Sequence, residues 1–301
     1  MLITLMAAQF LPALQSFPEQ FQLTTGPLWN DVVSWINVNY FDELDAVKSW
    51  LLLNVLIPFK RFLLALPWVG VVGMVALAGY QLGRWRLAVL CGSLALFMAV
   101  TGNWEKSMIS VYLCAISVII ASAIGIPIGI WASSHDRVHR VVQVVIDTLQ
   151  TLPSFVYLIP VVMLFRVGDF SAMIAIVAYA LVPAVRYTDH GIRQVPPPLI
   201  EAARAMGCTR RQIMWRVQLP IALPEIMLGI NQTIMLALAM LVITALVGTR
   251  DLGQEVYIAL TKADTGLGIV AGLCVAFIAM IADRLIGAWS KRKKNELGLA
   301  S

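Results

Sequence analysis

Seven apolar runs set the terms for this chain: residues 64–82, 87–102, 107–132, 146–165, 171–187, 222–246 and 266–289. Most suit a helix crossing about 30 Å of hydrocarbon, although the second and fifth are short. A segment in lipid has no water to satisfy its backbone, so it must be helical or belong to a closed barrel. No alternating ten-residue pattern marks barrel strands. The expected fold is therefore an all-α integral membrane protein with about seven transmembrane helices. Composition agrees, with 59% hydrophobic and 13% charged residues and a mean hydropathy of +0.81. A soluble domain has roughly 45–50% and about 25%.

Arginine and lysine orient the spans. Segments joining at one side carry Arg84, Arg86, Arg137, Arg140, Arg186, Arg193, Arg204, Arg210, Arg211 and Arg216, and the tail "KRKK" (Lys291 to Lys294) falls on that side too. The other side has short connectors such as "NWEK" and "RVGD". The positive-inside rule puts the basic side and the C-terminus in the cytoplasm. An odd number of spans then leaves the N-terminus outside. No Lys or Arg precedes Lys48, while Glu19, Asp31, Asp42, Glu43 and Asp45 do, which suits an external tail. Its apolar opening lacks the basic flank of a cleaved signal peptide. Residues 46–63, interrupted by Lys60 and Arg61, read as an amphipathic helix on the outer surface. The expected organisation is an external tail over 1–63, a transmembrane domain over 64–290 and a basic cytoplasmic tail over 291–301.

Several functional classes lose support at this point. The net charge of +5 is a topology signal here, not a nucleic-acid footprint. Cys91, Cys114, Cys208 and Cys274 show no paired spacing, so neither a disulfide framework nor a zinc site is implied. His135 and His139 stand four apart in "SSHDRVHR", but nothing completes a metal site, and a solvated basic loop is the better reading. No G-x-x-x-x-G-K-[ST] motif occurs, so the chain itself holds no ATP in a P-loop. Asp147, Glu225, Asp283 and Arg284 all fall near cytoplasmic ends of spans, leaving no ionisable residue near a span centre. A carrier driven by an ion gradient usually shows such charges or paired broken helices, so that alternative is weakened. A membrane scaffold that recruits a partner without transport is a second alternative.

One connector has more design than topology requires. In "PPPLIEAARAMGCTRRQIMWRVQLP", Pro196 to Pro198 lead into a first helical turn. Gly207 stands where a residue of positive φ would end that helix. Thr209 and Gln212 form a T-x-x-Q capping box for a second helix, which runs until Pro220 and Pro224 mark entry into the next span. The prediction is two short helices at a sharp angle, presenting both apolar and basic side chains. Such a knob suits docking into a groove on a partner.

The same stretch closely resembles the EAA loop of ABC importer permeases: E-A-A, three residues, G, nine residues, I, one residue, L-P. Glu201, Ala202, Ala203, Gly207, Leu219 and Pro220 match, and Val217 replaces the usual isoleucine. Further segments, "TLQTLPSFVYLIP", "DHGIRQVP", "GINQTIMLALAMLVITALVG" and "DLGQEV", resemble the glycine betaine/proline branch from about residue 60 onward. The resemblance implies a type I importer permease fold in a bacterial cytoplasmic membrane. Its loop, about 190–220, would be the coupling helix seated in a cytoplasmic ATPase, with Glu201 and Gly207 central and Ala202, Ala203 and Met206 inserted. It also implies a second copy of the chain, an external substrate-binding protein, and ATP and Mg used by the ATPase rather than by this chain. The expected cargo is a quaternary amine such as glycine betaine, proline betaine, choline or carnitine.

Candidate residues for the translocation path come from two spans. Phe155 and Tyr157 lie between Pro153 and Pro160, and aromatic faces attract quaternary ammonium groups without a buried countercharge. Ordinary packing is an equal alternative for each. Asn231, Gln232 and Thr233 form a polar cluster inside an apolar run, where bonding between helices is the commoner outcome. Gly125 with Gly129, and Gly268 with Gly272, fit small-xxx-small helix contacts.

Overall fold

The computed structural model describes residues 24–296. Residues 1–23 of the expected external tail, Glu19 included, and the last five residues of the basic tail lie outside them. The described residues fall into two units, those up to Leu44 and those from Asp45 onward. Helix α1 (Gly26–Leu51) begins in the first unit and is kinked at Tyr40, whose ring meets Trp35 edge-on at 5.7 Å.

In the second unit a π-helical turn, Leu52–Leu56, leads into α2 (Ile57–Ala65). Residues 46–63 are thus helical, but α2 packs on protein: Phe59 lies 6.4 Å from the Tyr112 ring, and Lys60 pairs with Asp169 at 2.9 Å.

Helix α3 (Trp68–Val100) is a hairpin rather than a rod. Gly83 and Arg84 leave the helical region, Arg84 at φ +61°. A Cβ on Gly79 would sit 2.9 Å from the Leu87 carbonyl oxygen, and one on Gly92 would touch the Ala76 Cβ at 3.4 Å. In a straight helix residues 76 and 92 would stand about 24 Å apart. The two arms correspond to the first two apolar runs, each shorter than a full bilayer crossing.

Four unbroken spans follow in the described residues: α4 (Trp104–Ser134), α7 (Asp169–Arg193), a continuous run over Arg210–Val247, and α12 (Thr265–Glu296). The fourth apolar run is not straight. Helices α5 (Asp136–Thr151) and α6 (Ser154–Phe165) meet at 95°. Leu152 precedes Pro153 and takes an extended conformation, as the proline ring demands of its neighbour. All seven predicted apolar segments are helical, but two form the hairpin arms and one is bent.

Helix α7 lies at the centre, with most of its apolar stretch buried. It approaches α4 at Gly125 and Gly129: a Cβ on Gly129 would fall 2.6 Å from the Thr188 Cβ and 2.7 Å from the Val185 carbonyl oxygen. Small residues let helix backbones close up where lipid supplies no hydrophobic drive. Gly268 likewise meets the Ala259 Cβ at 3.3 Å, whereas a Cβ on Gly272 would meet nothing within 4 Å. The expected contact at Gly272 is therefore absent among the described residues.

At the end opposite the arginine-rich connectors, α11 (Leu252–Lys262) lies between the last two spans. Asp251 is fully buried there and accepts the Gln254 backbone N–H at 3.1 Å. Burial pushes its carboxyl up to about 6, against the Gln254 hydrogen bond that favours the ionised form.

Candidate functional site: the helix pair at the basic end

The connector after α7 builds the expected element from local chemistry. Helix α8 (Pro197–Ala205) starts on Pro197, where a missing N–H costs nothing. It ends in a Schellman motif: Cys208 N–H donates to the Ala203 carbonyl at 3.1 Å, and Gly207 N–H to that of Arg204 at 2.9 Å. Gly207 takes φ +80°, the value this closure requires. Thr209 then caps α9 (Arg210–Ile213). Gln212 N–H donates to Thr209 Oγ1 at 3.3 Å, and Thr209 N–H to Gln212 Oε1 at 2.8 Å.

One feature departs from the sequence expectation. The second helix does not stop at the prolines but passes through a π-helical turn, Met214–Gln218, into α10 (Leu219–Thr244). Pro220 occupies the start of α10, where its missing N–H is tolerated, and the wider turn carries the helix into it. The element is therefore a short helix hinged to the end of a long one.

Its surface is divided. Ala203 is 2% exposed and Ile213 is buried, whereas Glu201, Ala202, Gly207 and Pro220 are exposed and Leu219 is half-buried. Met206 is 76% exposed, and Leu199 and Trp215 also face outward. Met214 and Leu219 pack on Ile192, Ala222 and Ile226, fixing the element to the bundle. A groove of about 500 Å³ along its flank is lined by Ser133, His135, Ile200, Arg204, Arg211 and Trp215, among others. Arg204, Arg210 and Arg211 have no ion-pair partner among the described residues. The element thus offers exposed apolar anchors ringed by free guanidinium groups, a surface suited to an apolar cleft with an acidic rim.

Beneath it lies a polar cluster that sequence reasoning missed. Asp189 of α7 is 1% exposed and accepts from His139 Nδ1 at 2.6 Å, Gln143 Nε2 at 3.2 Å and Arg193 Nε at 3.0 Å. His139 is therefore no member of a solvated loop: the buried carboxylate draws it in. The available signal was Asp189 and Arg193 four apart on one helix, facing His139 and Gln143 four apart on another.

The suggested path residues are not brought together. Phe155 is 56% exposed on α6. Tyr157 is buried, its hydroxyl donating to the Leu149 carbonyl across the bend and its ring edge-on to Tyr179 at 5.8 Å. Asn231 faces the other way, its Nδ2 donating to Asp283 Oδ1 of α12 at 2.7 Å. Thr233 is buried and bonds its own helix at the Gly229 carbonyl, and Gln232 is half-buried. Tyr157 and Asn231 thus brace neighbouring segments, Thr233 bonds within its own helix, and Phe155 is exposed.

These spans and the capped element make up a polytopic membrane protein with an exposed helix pair at its arginine-rich end. The chain belongs to the family described as binding-protein-dependent transport system inner membrane component, whose model matches residues 125–295. It is 41% identical over 283 residues to a trimethylamine N-oxide transport system permease protein of Pelagibacter ubique, covering 94% of this chain but 40% of that protein. It is 38% identical over 266 residues to a glycine betaine/carnitine transport permease protein of Listeria monocytogenes, covering 88% of this chain and 86% of the relative. With the glycine betaine/proline betaine transport system permease protein of Escherichia coli it shares 37% over 237 residues, or 79% and 67% of the two chains. A solved inward-facing form of the MetNI methionine ABC transporter aligns with a TM-score of 0.58 at 19% identity, over 63% of this chain and 94% of that one. That last likeness concerns the fold.

Proposed function

We propose that this chain is the membrane-spanning permease subunit of an ATP-driven importer of small quaternary amines. The observation that carries the reading is the rigid, capped α8–α9 element with Leu199, Met206 and Trp215 exposed at the arginine-rich end. A cytoplasmic ATPase using Mg-ATP would seat on it, gripping Glu201, Ala202, Met206 and Gly207. A second copy of the chain would complete the pathway, and an external binding protein would deliver the solute. The basic end and C-terminus would face the cytoplasm, with the N-terminus outside. Solutes named for the relatives share a fully substituted cationic nitrogen carried with an oxyanion. Such zwitterions have no net charge to neutralise, which suits spans without midplane ionisable residues.

The test is affinity purification from the native membrane, wild type beside Glu201→Lys, with co-purifying proteins identified. Glu201 is exposed, so the charge reversal disturbs docking and leaves the spans folded. An ATPase that accompanies wild type and is depleted with the variant supports the reading. Absence of an ATPase from folded, mildly extracted wild type removes the mechanism.

A further inference from the structure

The coupling element leaves the bundle by two routes of different build. On one side it continues into α10 through the π-helical turn Met214–Gln218, wider than the α-helix it joins. On the other it joins α7 through Gln194, Val195 and Pro196 alone, with Val195 3% exposed and Pro196 holding φ at −54°. The last residue of α7 is Arg193, and its guanidinium reaches three elements. Nε donates to Asp189 Oδ1 at 3.0 Å, Nη1 to Asp136 Oδ1 of α5 at 2.9 Å, and Nη2 to the Ala132 carbonyl near the end of α4 at 2.9 Å.

We infer that Arg193, Asp189 and His139 form the joint that passes movement of the coupling element to the bent α5–α6 segment. This rests on the ATPase-coupling reading and adds to it the route by which docking reaches the spans. The weights of the contacts follow from their exposure. The Asp136 carboxylate is 87% exposed, so that leg is screened and contributes little. Asp189 is 1% exposed and fully engaged, so that leg is desolvated and strong, and removing its cation strands a buried charge.

From Asp189 the connection enters α5 through His139 and Gln143. Arg186 with Asp147 at 2.5 Å repeats the tie further along, and Ile146 packs on Val182 and Val185 between them. Helices α5 and α7 are therefore joined at the buried Asp189 level and along an apolar seam, while the exposed Arg186–Asp147 pair adds little. The Pro153 bend follows, steadied by Tyr157 on the Leu149 carbonyl, and beyond it stands Phe155, the exposed aromatic. In the proposed scheme a push on α8 is thereby delivered to the half-span that carries Phe155. Arg193 is a positioning residue in this scheme. A lysine could replace its charge but not its planar fork of donors, so it could not hold three acceptors on three elements at once.

The test is reconstitution of the complete importer, this chain with its ATPase and binding protein, in liposomes with wild type, Arg193→Gln and Arg193→Lys. Three quantities are read: ATPase retained on purification, ATP hydrolysed, and solute moved per ATP, using glycine betaine and trimethylamine N-oxide as probes. For Arg193→Gln the expected result is full ATPase retention, hydrolysis within about twofold of wild type, and a fall of tenfold or more in solute per ATP. Arg193→Lys should recover only a small part of that ratio. Should Arg193→Gln fail to fold, Gln143→Leu, which removes one donor to Asp189, should lower the ratio at least threefold at full retention. A ratio within twofold of wild type overturns the joint, as does a parallel fall in hydrolysis and transport, which marks a structural brace. Wild type that retains no ATPase takes down both readings and is distinguished by that first measurement.

Discussion

Two glycine-to-alanine changes should separate the capped α8–α9 pair, the proposed ATPase dock, from the bundle that carries it. Gly207 sits at φ +80°, and a Cβ there would meet nothing within 4 Å. Gly207→Ala therefore adds no clash; its cost is that of holding an L-residue in the left-handed region, about 1–2 kcal/mol. That cost falls on the turn that pre-shapes α8 and α9 for docking. At 1.4 kcal/mol per factor of ten, ATPase affinity should weaken by roughly 5- to 30-fold, with the unfolding temperature of the spans unchanged. Gly129 is the opposite case. Its added Cβ would lie 2.6 Å from the Thr188 Cβ and 2.7 Å from a backbone oxygen, Val185 O. Neither is a flexible side-chain tip, so α4 and α7 must part, and overpacking of this kind costs about 1–3 kcal/mol. Gly129→Ala should lower the unfolding temperature by several degrees. The assay is thermal unfolding in detergent by tryptophan fluorescence, paired with titration of the labelled ATPase. Equal thermal losses for the two variants, or Gly207→Ala binding within twofold of wild type, would refute the reasoning.

Three further outcomes are expected. Burial favours the neutral form of Asp251, so between pH 3.8 and about 6 the folded protein binds this proton more tightly than the unfolded chain. Stability should fall as pH rises through that window and level off above it, by about 3 kcal/mol at most. Asp251→Asn keeps an acceptor for the α11 cap and should flatten that slope in a pH 4–8 unfolding series; a slope identical to wild type contradicts the assignment. Asn231→Leu strands the Asp283 carboxylate and should cost about 1–3 kcal/mol, with the Asn231→Leu, Asp283→Leu double variant costing less than the two singles summed. Strict additivity in that cycle would show that the pair does not brace α10 to α12. Phe155→Ala should raise the half-saturating solute concentration about 2- to 5-fold, the value of an exposed cation–π contact of about 0.5–1 kcal/mol, at unchanged unfolding temperature. Uptake with wild-type saturation would remove Phe155 from the path.

What the sequence revealed is what local chemistry controls. Gly207 and the Thr209–Gln212 spacing determine the end of α8 and the start of α9 within a dozen residues, and both form as expected. The apolar runs are legible for the same reason, since each must satisfy its own backbone. Geometry between segments was not. Nothing near Gly83 announces that the chain folds back there, because a single glycine between apolar runs is also compatible with a polar loop. The break at Pro153 was hidden because a hydropathy window over 146–165 averages the end of amphipathic α5 with apolar α6. Pro220 and Pro224 read as stops, yet a π-helical turn lets the helix run through them. The polar ties join residues far apart in the chain: His139 with Asp189, Lys60 with Asp169, Asn231 with Asp283. Each partner alone looks like an ordinary polar residue, and only packing shows which ones lose their water.

In the proposed importer ATP, not an ion gradient, drives solute through these spans. The most direct measurement is uptake of glycine betaine and trimethylamine N-oxide by liposomes holding the complete importer, with ATP supplied or withheld and with proton and sodium gradients intact or collapsed by ionophores. Uptake should stop without ATP and be indifferent to the ionophores. Uptake that persists without ATP and disappears when the gradients collapse would contradict that proposal and identify a secondary carrier.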